Sequence, residues 1–140
     1  PEKPVAVETL DEMLLVVRRA SDLAFDENLP GFHLYAADAV LSARVRGQKS
    51  YVVDAPAIHH SRPVVALDGG YHKAYRYMQK KWRAVLPVPN LVCPIARSPI
   101  PLLIRDFRIR RKHRGRARPG EPRENPALIA QRLGFEPPEV

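Results

Sequence analysis

The sequence predicts an α/β fold: a mixed sheet with flanking helices, followed by an extended Pro-rich segment and a basic tail. Three observations carry this. The helix-periodic stretch "ADAVLSARVRG" runs through a glycine into the β-branched "SYVVDAP", a helix–strand unit common in α/β chains. The apolar runs "VAVETL" and "EMLLVVRR" are short and valine-rich, which favours strands. Further on, Tyr71, Tyr75, Met78 and Trp82 recur at helical spacing.

Each element follows from local chemistry. Val5 and Val7 alternate with smaller or polar neighbours, so "VAVETL" reads as a short strand. "EMLLVVRR", residues 12 to 19, is a continuous apolar run flanked by charge and is expected to be a buried strand, with a helix as the alternative. "ASDLAFDENLPG" is a loop ending in the turn dipeptide Pro30-Gly31. A helix is expected from about residue 36 to residue 46, because Leu34, Ala37, Leu41 and Val45 fall on one face. Arg44 and Arg46 suit its last turn, and Gly47 its C′ position. "SYVVDAP" is the next strand, stopped by Pro56.

A second helix is expected from about residue 69 to residue 84, with Asp68 as N-cap and Pro87 as stop. Its aromatic stripe reads as a core face, with His72, Lys73, Arg76, Lys80, Lys81 and Arg83 off the stripe. Prolines then recur at 87, 89, 94, 99 and 101, which marks an extended wrap or linker. "IPLLIRDFRIRRK" has near-helical spacing at Leu103, Phe107 and Arg110, and "NPALIAQRLGF" reads as a short helix capped by Asn125 with Pro126 at N1. The organisation is thus residues 1–87 as the folded part, 88–104 as the wrap and 105–140 as the basic tail.

Composition narrows the function. The 140 residues suit one domain with a core, and the net charge is +8. Residues 105 to 118 hold eight Lys/Arg and one Asp, so the rest of the chain is close to neutral. Such a tail suits an anionic membrane surface. Nucleic acid is not the expected partner, since the charge is not spread over the body and no nucleic-acid motif is present. The single cysteine, Cys93, excludes an internal disulfide framework and agrees with a cytoplasmic location. The best apolar stretch, "LVCPIARSPIPLLI", is broken by Arg97 and prolines and does not span a bilayer. The N-terminus has no signal-peptide pattern, and the opening Pro1 reads as the start of a piece of a longer protein.

The polar residues cluster at element ends, where α/β folds place their sites. They are Asp11 and Glu12 before the second apolar run, His33 and Asp38 around the first helix start, and His59 and His60 after "SYVVDAP". A carboxylate at a helix N-terminus is stabilised as the anion, and Asp38 there could still take a proton from a positioned hydroxyl. A histidine with carboxylates suits Mn²⁺ or a similar divalent ion. There is no HExxH, no CxxC pair and no P-loop.

The block "LPGFHLYAADAVLSARVRGQKSYVVDAPAIHHS" resembles the C-terminal, acceptor-side half of GT-A-type glycosyltransferases of the family 2 kind. The matching pieces are Phe32 to Tyr35, Asp38, "LSARVRG", "KSYVVDAP" and "IHHS". Upstream, "VETLDEMLLVVRR" and "FDENLPGF" are similar to the family's acidic strand and its "FDE" loop. Downstream, "YHKAYRYMQKKWRAVLP" looks like the Lys-Trp helix of some members. The resemblance covers roughly residues 5 to 87.

It implies a partial GT-A-type sheet and metal-dependent, inverting transfer of a sugar from a nucleotide-sugar donor to an acceptor hydroxyl. It implies Asp38 as the catalytic base, His59 and then His60 as ligands of a Mn or Mg ion, and Asp11, Glu12, His33 and Tyr35 at the substrate. Two departures stand out. Ala36 occupies the family's usual base position. The Asp-x-Asp motif and the donor-binding half are absent, so the isolated chain is expected to be inactive. The rival reading is a non-catalytic module whose basic tail binds nucleic acid or membrane.

Overall fold

The structure is a computed structural model and describes residues 3–55, 57, 64, 66–114 and 125–135. It is mixed α/β. Its elements are strand β1 (Val5–Val7), a 3₁₀ turn (Arg19–Ser21), helix α1 (Tyr35–Val45), strand β2 (Ser50–Val52) and helices α2 (Gly69–Lys81), α3 (Ile100–Lys112) and α4 (Pro126–Arg132). The two strands pair antiparallel, with Val5 opposite Val52 and Val7 opposite Ser50. Among the described residues this small ribbon is the only sheet.

The core lies where α1 and α2 meet the chain between Leu86 and Leu102. α1 is buried on nearly every side: Ala36, Ala37, Asp38, Ala39, Val40, Leu41 and Ala43 are all inside. Val45, expected on the same face, is instead 70% exposed in the last turn. Small alanines let neighbouring backbone approach α1 closely, which a narrower amphipathic stripe would not allow. Gly47 follows with φ +72°, the left-handed C′ conformation that a side chain would resist.

α2 presents the expected stripe. Tyr71, Tyr75 and Met78 are buried and Trp82 packs against them at the C-cap. Asp68 caps it: its Oδ1 accepts a hydrogen bond from the Tyr71 N–H at 2.7 Å. That bond holds the Asp68 carboxyl below the usual range. The helix ends at Lys81, before the cis Leu86–Pro87 peptide. The wrap is then fastened to α2. Tyr75 Oη donates to Pro94 O at 2.8 Å and accepts from the Ala96 N–H at 3.0 Å, while Gln79 Nε2 donates to Ala96 O at 2.7 Å. Val88 and Ile95 exchange both backbone hydrogen bonds at 3.0 Å, closing the wrap on itself.

α3 begins inside the stretch expected to be wrap. Leu102 is buried and Ile109 packs on the core. Asp106 accepts from the Leu67 N–H at 3.0 Å and from Arg110 Nε at 2.9 Å, and lies 3.7 Å from His72 Nε2. α4 forms as expected, with Asn125 Oδ1 accepting from the Ala127 N–H.

One expectation fails. "EMLLVVRR" is not a buried strand: residues 12 to 18 have no regular structure, and Arg19 belongs to the 3₁₀ turn. Met13 is 54% exposed, Leu14 63% and Val16 92%. A strand exists only through hydrogen bonds to a neighbour, and among the described residues no strand pairs with this run. No helix among the described residues is long and apolar enough to cross a membrane.

Replacing Asp68 by Ala should remove the cap of α2 and cost about 1 kcal/mol in urea denaturation. An unchanged midpoint would show that the cap does not hold the helix start.

Candidate functional site

The start of α1 is where the chain's unusual polar groups converge. Its N-cap, Leu34, sits at φ 65°, so the chain turns sharply from the loop into the helix. In the first turn Asp38 is only 2% exposed, the one buried charged side chain among the described residues. Its partners come from the far end of α2. Lys81 Nζ donates to Asp38 Oδ2 at 2.8 Å, and Trp82 Nε1 donates to Asp38 Oδ1 at 2.7 Å. Both carboxylate oxygens therefore already receive strong donors.

Lys81 also reaches Asp26 Oδ2 at 2.6 Å, in the loop before α1, and Tyr77 Oη donates to the same oxygen at 2.7 Å. The Lys81 hydrogen bond, then the Tyr77 hydroxyl, hold the Asp26 carboxyl well below the usual carboxylate range. Burial works against the Lys81 ammonium, but the two carboxylates outweigh it and raise its pKa. The cluster pins the 22–34 loop and the start of α1 to the end of α2.

A second group faces the same helix start and is far less satisfied. Tyr35 Oη donates to the Glu12 carbonyl at 3.1 Å and so holds residues 11–12 against α1. The Glu12 side chain is half-buried, and its Oε1 is buried with no hydrogen-bond partner. Burial first, then the neighbouring Asp11, push its pKa up to about 7. His33 is in a similar position: its Nε2 is buried without a hydrogen bond and lies 3.5 Å from Asp68 Oδ1, close enough for an ion pair. Its ring centroid lies 4.3 Å from that of Phe32 with the planes tilted by 36°, and 5.4 Å from that of Tyr71 in an edge-type arrangement. Tyr71, whose pKa is raised by burial, also senses Cys93 and the Glu12 charge. Gly70 passes beside His33, and a Cβ there would come within 3.7 Å of the ring.

The sequence-derived candidates thus divide. Glu12, His33 and Tyr35 come together at the mouth of α1. Asp11 is exposed, with its Oδ1 accepting from the Glu12 N–H. Asp38 lies beneath the surface, locked to Lys81 and Trp82. His59 and His60 lie outside the described residues. The described residues contain no group of three or more His, Cys, Asp or Glu able to hold a metal ion. The groups visible here therefore do not form a metal cage by themselves. Sequence reasoning missed Asp26, Tyr77 and Lys81 as partners of the site. The signal lay in the "FDE" and "KKW" stretches, which fell in matching blocks without being paired.

A cleft of about 260 Å³ lies elsewhere, between β1 and α1. Its charged lining includes Glu8 and Arg44, 3.6 Å apart and both exposed, and it holds no buried titratable group.

No protein-family model matches the chain, and no solved structure does. A curated protein of Fuscovulum blasticum, "ATP synthase subunits region ORF 6", is 33% identical over 94 residues, which is 67% of this chain and 37% of that protein. The chain thus spans a little over a third of the relative's length. That name describes a reading frame and states no reaction.

Replacing Lys81 by Met leaves Asp38 buried without its cation and should cost about 3 kcal/mol. The Lys81→Met/Asp38→Asn pair should recover part of this in a double-mutant cycle, and strict additivity would contradict the coupling. Glu12 sets a separate pH dependence. Its folded pKa lies above its ordinary value of 4.5, so the folded chain binds the proton more tightly than the unfolded one. Glu12's contribution to stability should therefore be fully present below about 4.5 and be lost as pH rises through about 7. Glu12→Gln should flatten this slope in thermal melts; an unchanged slope would assign it to another group.

Proposed function

We propose that the chain is the acceptor-side part of a GT-A-type, family 2-like glycosyltransferase, working with a donor-binding half that these residues do not include. The observation that carries the reading is the pair of buried atoms without hydrogen bonds, Glu12 Oε1 and His33 Nε2, at the start of the helix that the resemblance singles out. Exposed apolar residues at 13, 14, 16 and 17 add support, because a neighbouring strand of a larger sheet would cover them. The coverage of just over a third of a longer relative is compatible with such a partial unit.

In this reading the proton acceptor moves from Asp38 to Glu12. Asp38 is enclosed, 2% exposed, with both oxygens held by Lys81 and Trp82, which leaves an acceptor hydroxyl no open approach to it. Glu12 has a free oxygen and a pKa near working pH, the condition under which a general base is most effective. The acceptor hydroxyl gives its proton to Glu12 as its oxygen bonds to the anomeric carbon. The bond from that carbon to the nucleoside diphosphate breaks with inversion, and the electron pair leaves with the diphosphate. His33 and Tyr35 line the acceptor side, and Asp38 holds the helix start in place. His59 or His60 would hold a divalent metal, whose charge would offset that of the leaving diphosphate.

The parent protein should release nucleoside diphosphate from a nucleotide sugar in Mn²⁺ only when an acceptor is supplied. Glu12→Gln should lower kcat by about 100-fold or more, leave the KM for donor nearly unchanged, and erase a rate limb near pH 7. Full activity in Glu12→Gln with loss in Asp38→Asn would return the base to Asp38. No turnover across a panel of nucleotide sugars would overturn the class. His59→Ala should raise the Mn²⁺ concentration needed for half-maximal rate, and an unchanged requirement would remove it as a ligand.

A further inference from the structure

α3 has two apolar faces, and the core uses only one. Leu102 and Ile109 point inward, and Asp106 on the same side ties the helix to Leu67. At about 3.6 residues per turn, Ile100, Leu103, Ile104 and Phe107 form a separate stripe on the opposite side. These four are 59%, 55%, 46% and 65% exposed. Four large apolar side chains at i, i+3, i+4 and i+7 standing in water are an unfavourable arrangement unless something covers them.

The charges beside the stripe say what. Arg108, Lys112 and Arg105 follow it on one flank, Arg110 lies on the other, and Arg111 extends its C-terminal end; all are exposed. Asp106, the helix's one acid, is turned inward and consumed by Leu67 and Arg110. The outward surface is thus an apolar strip with cations along one flank and at its C-terminal end, Arg110 on the other flank being paired with Asp106, and the helix's one acid does not face out. A protein partner would need an acidic rim around an apolar groove. A bilayer of anionic lipid offers both at once, acyl chains beneath and negative headgroups at each side, to a helix lying in its plane.

We propose that the outer face of α3 docks on an anionic membrane surface, with Ile100, Leu103, Ile104 and Phe107 entering the headgroup–acyl boundary and the flanking arginines and Lys112 contacting lipid phosphates. The inner face keeps its hold on the core, so the body is carried at the membrane without unfolding. This surface is independent of the acid–base site, and its failure would leave that reading untouched.

The test is flotation of the full chain with vesicles of phosphatidylcholine alone and of phosphatidylcholine with about 30 mol % phosphatidylglycerol. The chain should float with the anionic vesicles and not with the neutral ones, and added salt should release it. Leu103→Ser/Phe107→Ser should reduce partitioning about tenfold or more with an unchanged circular dichroism spectrum. Arg108→Gln/Arg111→Gln, which leaves the apolar stripe intact, should cost on the order of fivefold per charge and keeps the test open if the first variant misfolds. No flotation with anionic vesicles would overturn the proposal, as would equal binding to neutral vesicles. So would a dimer dispersed by the Leu103/Phe107 pair while vesicle binding is absent, since a second copy would then be the cover.

Discussion

The architecture depends on one ammonium group. Lys81, at the end of α2, bridges Asp26 in the loop and Asp38 in α1, and the adjacent Trp82 indole completes the coordination of Asp38. A buried charge pair stabilises a fold only when its remaining lone pairs and protons are satisfied. Here two carboxylates, a tyrosine hydroxyl and an indole N–H share the work. Because the partners come from three separate stretches, satisfying them fixes where α1 starts relative to α2. Everything presented at that helix start, including the Glu12 and His33 side chains, inherits its position from this cluster.

Two acidic residues near one helix start are thereby given opposite environments. Asp38 is supplied with donors and enclosed; Glu12 is partly desolvated, faces a second carboxylate and keeps an unpaired oxygen. Environments that separate the behaviour of neighbouring acids are how a site assigns a holding role to one and a proton-transfer role to the other. The His33 nitrogen, buried without a hydrogen bond and 3.5 Å from Asp68 at the capped start of α2, belongs to the same pattern. Buried polar atoms without hydrogen bonds are costly, and two of them at one mouth support the proposed acceptor side there.

Much of the secondary structure was legible in local chemistry. Asp68, Gly47 and Asn125 with Pro126 marked helix ends through caps that depend only on nearby residues. The stripe Tyr71, Tyr75 and Met78 announced its core face in the same way. "EMLLVVRR" was misread because its composition reports only a preference for burial, whereas a strand needs a partner, which no local signal reveals. The site was legible in part. Glu12 and His33 were picked out by their places at element ends and Tyr35 by the family resemblance, and the three do meet. The link from Asp38 to Lys81 crosses 43 positions, and no periodicity connects residues so far apart. The second apolar face of α3 was hidden for a related reason: spacing shows a helix, but only the packed structure shows which stripe is left outside.

The claim on which the account turns is that Glu12 is the carboxyl left free to titrate at the start of α1. Side-chain ¹³C NMR of the intact chain across a pH series reads this directly. The account predicts a Glu12 carboxyl resonance with a midpoint of about 7. A midpoint at the ordinary glutamate value of 4.5 would contradict it, because Glu12 would then be a solvated side chain and the helix start would hold no group poised for proton transfer.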